Sequence, residues 1–74
     1  MVVAEMNDLI DALIESVRTQ VQDSKTIEEI TEKLAQKKYR QFFLILNSLK
    51  ESGRWILSES DKKNLEKFWW EYAN

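Results

Sequence analysis

The side chains able to do chemistry in this chain are carboxylates, lysines, arginines and aromatics, because the sequence contains no histidine and no cysteine. The commonest general base, the thiolate nucleophile and the usual transition-metal ligands are therefore missing. Two sets of carboxylates remain for acid–base or hard-metal work: Asp8, Asp11 and Glu15, and Glu28, Glu29 and Glu32. The first set recurs at helical spacing on a hydrophilic face. The second falls in the first turns of a helix, where the macrodipole favours negative charge. Both read as solvated or dipole-compensating groups. A di-iron bundle needs Glu-x-x-His motifs and a phosphate-cradling loop needs several glycines, but the chain has a single glycine. The expectation is a protein that is not an enzyme, with no cofactor and no metal.

Lys33, Lys37 and Arg40 recur at i, i+4 and i+7, with Lys38 and Gln41 beside them. Such a stripe is either a solvated face that balances an acidic protein or a surface for phosphates. The third constellation is aromatic: three tryptophans, two tyrosines and three phenylalanines. Trp69 and Trp70 are adjacent, so on a helix they point about 100° apart and cannot both enter one core. Trp69 shares a face with Leu65, Phe68 and Tyr72, whereas Trp70 lies about 140° from Leu65. Trp55 sits beside Arg54 in a short connector. Arginine and aromatic side chains supply the desolvated anchors of protein interfaces. Arg54, Trp55 and Trp70 are accordingly the candidate partner-binding residues, while Phe68 and Trp69 read as core.

These groups must be held by a small frame. Seventy-four residues make one domain, since a chain of this size buries only about 60% of its unfolded surface. The formal charge of -2 is neither a basic nucleic-acid footprint nor an acidic mimic of DNA. No basic n-region opens the sequence, and the longest apolar run, Phe42 to Leu46, falls far short of the roughly 20 residues of a membrane span. A soluble, cytoplasmic protein with no membrane contact is expected. One glycine and no proline remove the usual turn punctuation and argue for helices throughout.

The first helix is expected over residues 3–22. Val3, Met6, Ile10, Leu13 and Val17 form its seam, and Val2, Leu9, Ile14 and Val21 widen it. Thr26-Ile27-Glu28-Glu29 has the form of a capping box and should start a second helix. From there the apolar positions Ile27, Ile30 and Leu34 lie on one face, but Phe42, Ile45, Leu46 and Leu49 centre on a face rotated by roughly 70–100°. Either one helix runs from 27 to 52, or the chain bends near Gln36-Lys37-Lys38 and makes two. Gly53 fits the left-handed position after a helix end. Arg54 to Leu57 then reads as an extended connector, and Ser58 or Ser60 can cap a last helix.

If Thr26–Leu34 and Tyr39–Ser52 are two helices, this stretch resembles the helix-turn-helix core of small winged-helix regulators. The likeness rests on the capped start Thr26-Ile27-Glu28-Glu29-Ile30, on Leu34, on Phe42, Leu46 and Leu49 as buried positions, and on the Leu-Lys-Glu-Ser-Gly stop. It implies that Lys37, Lys38, Tyr39, Arg40 and Gln41 would meet phosphates and base edges. Gln36-Lys37-Lys38 replaces the small turn residue of that pattern, and no wing hairpin follows.

The fold expected is an all-α compact bundle of three to four helices. Its wide first stripe and its apolar Phe42–Leu46 segment suggest a homodimer, because a twofold dimer doubles the core without new sequence. The function expected is that of a small regulatory or accessory protein, acting by protein–protein interaction on another protein or on itself. The alternative is a DNA-binding regulator that uses Lys33, Lys37, Lys38 and Arg40.

Overall fold

The computed structural model describes the backbone of residues 2–73 and the side chains of residues 7–71. Four α-helices follow one another: α1 (Val2–Gln20), α2 (Ser24–Ala35), α3 (Tyr39–Glu51) and α4 (Glu59–Phe68). A π-helical turn, Trp69–Ala73, continues α4. Among the described residues there is no strand, and no helix is long and apolar enough to cross a membrane.

On α1 the apolar repeat does what its spacing requires. Ile10, Leu13 and Val17 are buried, Leu9 and Ile14 pack beside them, and Asp8, Asp11, Glu15 and Arg18 face solvent. The expected seam residues Val2, Val3 and Met6, and Tyr72 at the other end, lie outside the described side chains. The helix stops at Gln20, although the Val21 amide still donates to the Val17 carbonyl at 2.7 Å and Val21 remains in the core.

The start of α2 departs from the capping box. Asp23, three residues upstream of Thr26, is the N-cap: its Oδ1 accepts from the amides of Lys25 (3.1 Å) and Thr26 (3.4 Å). The Thr26 hydroxyl donates to Asp23 Oδ2 at 2.7 Å, and Thr26 itself stands inside α2 and not at its cap. A carboxylate is at least as good a cap as threonine, and by standing earlier it wins the free amides and lengthens the helix at its start.

The bend near 36–38 is real, and the stretch from 27 to 52 is two helices. Lys37 takes φ 59°, the left-handed region. Its amide donates to the Leu34 carbonyl at 3.0 Å, and the Lys38 amide donates to the Lys33 carbonyl at 2.9 Å. This is a Schellman closure with lysine where glycine is usual. The second closure follows α3: Gly53 takes φ 74°, its amide donates to the Lys50 carbonyl at 3.1 Å, and the Arg54 amide donates to the Leu49 carbonyl at 3.0 Å. At α4 the Ser58 hydroxyl accepts from the Asp61 amide at 3.1 Å.

α3 lies at the centre of the core. Phe42, Phe43, Leu46 and Leu49 are buried on it. The Phe43 ring meets Phe42 edge-on at 5.0 Å and lies nearly parallel to Phe68 at 5.4 Å, with 11° between the planes. Such pairs add about 0.5–1.5 kcal/mol beyond the area that they bury. The connector after Gly53 closes the bundle: Trp55 and Leu57 point inward and Ile56 outward, the alternation of an extended strand of chain. Two hydrogen bonds strap it to α1, from Trp55 Nε1 to Ser16 Oγ (2.9 Å) and from the Ile56 amide to Gln20 Oε1 (2.8 Å). Among the described residues a single chain thus covers most of the apolar side chains that argued for a second copy. Among the described residues the large apolar side chains left outside are Leu44, Ile56 and Trp70.

Candidate functional site

The two carboxylate sets stay in solvent. Asp8, Asp11, Glu15, Glu28, Glu29 and Glu32 are all exposed. Among the described residues no group of three or more acidic side chains is placed to hold a metal ion.

The basic residues are brought together by the break between α2 and α3. Because Lys37 turns the chain in the left-handed region, Lys37, Lys38, Tyr39, Arg40 and Gln41 line one open cleft of about 350 Å³. Lys33 stands one turn earlier on α2, half-buried, outside that lining. The described ion pairs are Arg54–Asp23 and Lys62–Glu59, so Lys33, Lys37, Lys38 and Arg40 have no carboxylate partner among the described residues. From residue 33 to residue 50 the chain carries Lys33, Lys37, Lys38, Arg40 and Lys50 and not one carboxylate. A local excess of positive charge is therefore held in a chain whose formal charge is -2.

The three aromatic and arginine anchors separate. Trp55 is 2% exposed and its N–H is satisfied by Ser16, so it is a core residue and is not offered to a partner at the surface. An indole buries a large apolar area once its single donor has an acceptor, and Ser16 on α1 supplies one. Arg54 is exposed but engaged: its Nη2 lies 3.1 Å from Asp23 Oδ2 and 3.5 Å from Thr26 Oγ1. The Thr26 hydroxyl, its amide, Arg54 and the Lys25 amide hold the Asp23 carboxyl below the usual carboxylate range. Arg54 thus bridges the end of α3 to the start of α2. Trp70 is 74% exposed, uncovered on the π-helical turn. Turns of this kind recur at functional positions.

Two exposed apolar residues were not singled out by the sequence. Ile56, 77% exposed, follows from the in–out alternation of the connector once Trp55 is placed inside. Leu44, 47% exposed, lies on the outward face of α3 with Arg40, Gln41, Asn47 and Ser48, all within about 120° of arc at 100° per residue. A second open cleft, of about 320 Å³, runs between α2 and α3, with Thr26 and Glu29 on one wall and Leu44, Ile45 and Ser48 on the other. Compared with protein-family models, curated proteins and solved structures, the chain matches none of them.

Proposed function

We propose that this chain is a small non-enzymatic regulatory or accessory protein of the cytoplasm. It acts by docking on another protein, or on a second copy of itself, through a helix face and the indole of Trp70. The observation that carries this reading is the contrast among the tryptophans. Trp55 is almost wholly enclosed, while Trp70 keeps 74% of its surface in water. Tryptophan is the residue type most enriched among interface hot spots, and its truncation there commonly costs more than about 2 kcal/mol of binding. Sedimentation and affinity capture from the native source, with the wild type beside Trp70→Ser, test it. The variant should fold normally and lose the associated protein or the dimer. Identical association by both proteins, or a wild type that remains monomeric at high concentration and captures nothing, overturns it.

A second reading is favoured by the cleft at Lys37–Gln41, whose cations have no carboxylate partner among the described residues and fit a polyanion. In that reading the protein is a DNA-binding regulator, and Lys33, Lys37, Lys38 and Arg40 supply its phosphate contacts. Charge reversal at Lys37 and Arg40 should then remove binding that also weakens steeply with salt. Retention of nucleic acid by the reversed variant would exclude it.

A further inference from the structure

We infer that Lys37, Lys38, Arg40 and Trp70 form one docking surface, and that its occupant is a short acidic segment of another protein which carries an apolar anchor for the indole. This rests on the first reading above and adds to it the chemistry of the partner. Three observations carry it. The first is placement. α3 runs from the basic cleft at its first turn to the bridge between Arg54 and Asp23 beyond its last. α4 starts after the connector strapped to α1 and returns along the bundle, for its last residue, Phe68, stacks on Phe43 in the second turn of α3. The π-helical turn that follows packs on α3. Trp70 therefore stands at the end of the bundle that holds the basic cleft, just outside its lining.

Charge is the second observation. The cleft is lined by Lys37, Lys38 and Arg40 and by no carboxylate, and these cations form no ion pair among the described residues. Glu32, the acidic residue nearest to Lys37 in the sequence, has its Oε1 engaged by the side-chain amide of Gln36 at 3.1 Å. A segment that brings its own carboxylates to the cleft meets attraction there, although the chain as a whole is acidic. The third observation is the indole, 74% exposed. Tryptophan and arginine are the residue types that carry most binding energy at protein interfaces, while Lys37 and Lys38 suit the polar, solvated rim.

The surroundings of the indole select the class of partner. Glu66 stands one turn before Trp70 and Glu71 next to it, both exposed. A nucleic-acid strand stacked on Trp70 would carry phosphates past these two carboxylates, and each such approach is repulsive. A polypeptide sets its charges one residue at a time, so its carboxylates can lie on the cleft while an uncharged side chain covers the indole. A peptide of about twelve residues reaches about 40 Å when extended. The longest dimension of the molecule is 33 Å, so one short segment can touch both parts of the surface.

The test is selection from a displayed library of random peptides of about twelve residues on the full chain. The selected peptide is then titrated, beside an analogue with Asn and Gln in place of its Asp and Glu and beside an oligothymidine strand. Enrichment of peptides with two or more carboxylates and a large apolar residue is expected. The neutral analogue, and the variant Lys37→Glu with Arg40→Glu, should each bind at least about tenfold more weakly, and added salt should weaken the wild-type complex. Trp70→Ser should weaken it about thirtyfold, as loss of a hot-spot residue does. If the selected peptides are not acidic, or bind the reversed variant as they bind the wild type, recognition of an acidic segment is overturned although docking at Trp70 stands. If Trp70→Ser binds them as the wild type does, the reading on which the inference rests falls as well. An oligothymidine that binds more tightly and displaces the peptide would make the occupant a nucleic acid. A salt-sensitive dimer of the free chain, dissolved by Lys37→Glu with Arg40→Glu, would make it a second copy. Either result, or a library that yields no binder, overturns the assignment.

Discussion

The helix ends at Lys37 and Gly53 close with the same pair of backbone hydrogen bonds and the same left-handed residue, yet the chain does opposite things after them. Beyond Gly53 it turns inward: Trp55 and Leu57 enter the core, and the connector is strapped to α1. At Lys37 it first stays at the surface, where Lys37 and the four residues after it line a basic cleft, and only from Phe42 onward does α3 enter the core. One closure completes the core and the other presents side chains. Glycine is used where only the backbone matters. Lysine is used where the left-handed position itself displays a charge, although a non-glycine residue there costs about 1–2 kcal/mol.

The largest effect that bears on this contrast is at Trp55. Trp55→Ala should cost about 3–5 kcal/mol in chemical denaturation, a large share of the roughly 5–15 kcal/mol that a domain has in all. Trp55→Phe should keep much of the packing and lose the hydrogen bond to Ser16. A Trp55→Ala variant with wild-type stability would mean that the connector does not close the bundle, and the contrast would collapse.

The two left-handed residues come next, and they should move stability in opposite directions. Gly53→Ala meets no steric neighbour, since nothing lies within 4 Å of the added Cβ, so its loss is the backbone strain of about 1–2 kcal/mol. Lys37→Gly relieves the same strain, against about 0.4–1 kcal/mol of extra freedom in the unfolded chain. A net gain of roughly 0.5–1 kcal/mol should appear as a raised denaturation midpoint. A fall in stability at Lys37→Gly would show that the lysine side chain itself supports the fold.

The smallest effect is at the bridge between the ends. Because the Thr26 hydroxyl and Arg54 depress the Asp23 pKa, its folded value lies below its unfolded one. The resulting stabilisation is complete above about pH 4, the unfolded value, and is lost as pH falls through the folded value. Asp23→Asn should therefore flatten the acid limb of the stability–pH curve while changing nothing in shape near neutrality. An unchanged acid limb would remove Asp23 from the account.

Much of the frame is legible in the residues themselves. The repeat Ile10, Leu13, Val17, the glycine stop and a serine cap, open in the sequence between Ser58 and Ser60 and formed by Ser58, each carry a local signal. Three features escape local reading for physical reasons. Thr26 satisfies the capping-box pattern, but Asp23 competes for the same amides and stands earlier. The break at Lys37 lacks a glycine, so its only trace is the drift of the apolar face from Ile27, Ile30 and Leu34 to Phe42 and Leu46. Trp55 beside Arg54 looks like an interface anchor, and only the tertiary placement of Ser16, 39 residues upstream in the chain, makes burial of its N–H affordable. Of the candidate site, Lys37, Lys38 and Arg40 are visible as neighbours in the sequence, but the stripe of Lys33, Lys37 and Arg40 at helical spacing is broken by the left-handed turn at Lys37, which leaves Lys33 outside the cleft. That Trp70 shares their end of the bundle is not visible, because it follows only from the stacking of Phe68 on Phe43.

The placement of the indoles has one more consequence. Trp55 is sealed beside a serine hydroxyl, Trp69 is half-covered and Trp70 stands in water, so the chain carries three natural fluorophores in graded polarity. Loss of the fold would shift the emission of the first to longer wavelength, while a partner covering the π-helical turn would shift that of the last to shorter wavelength. Unfolding and recognition thus carry optical signatures of opposite sign, without any label.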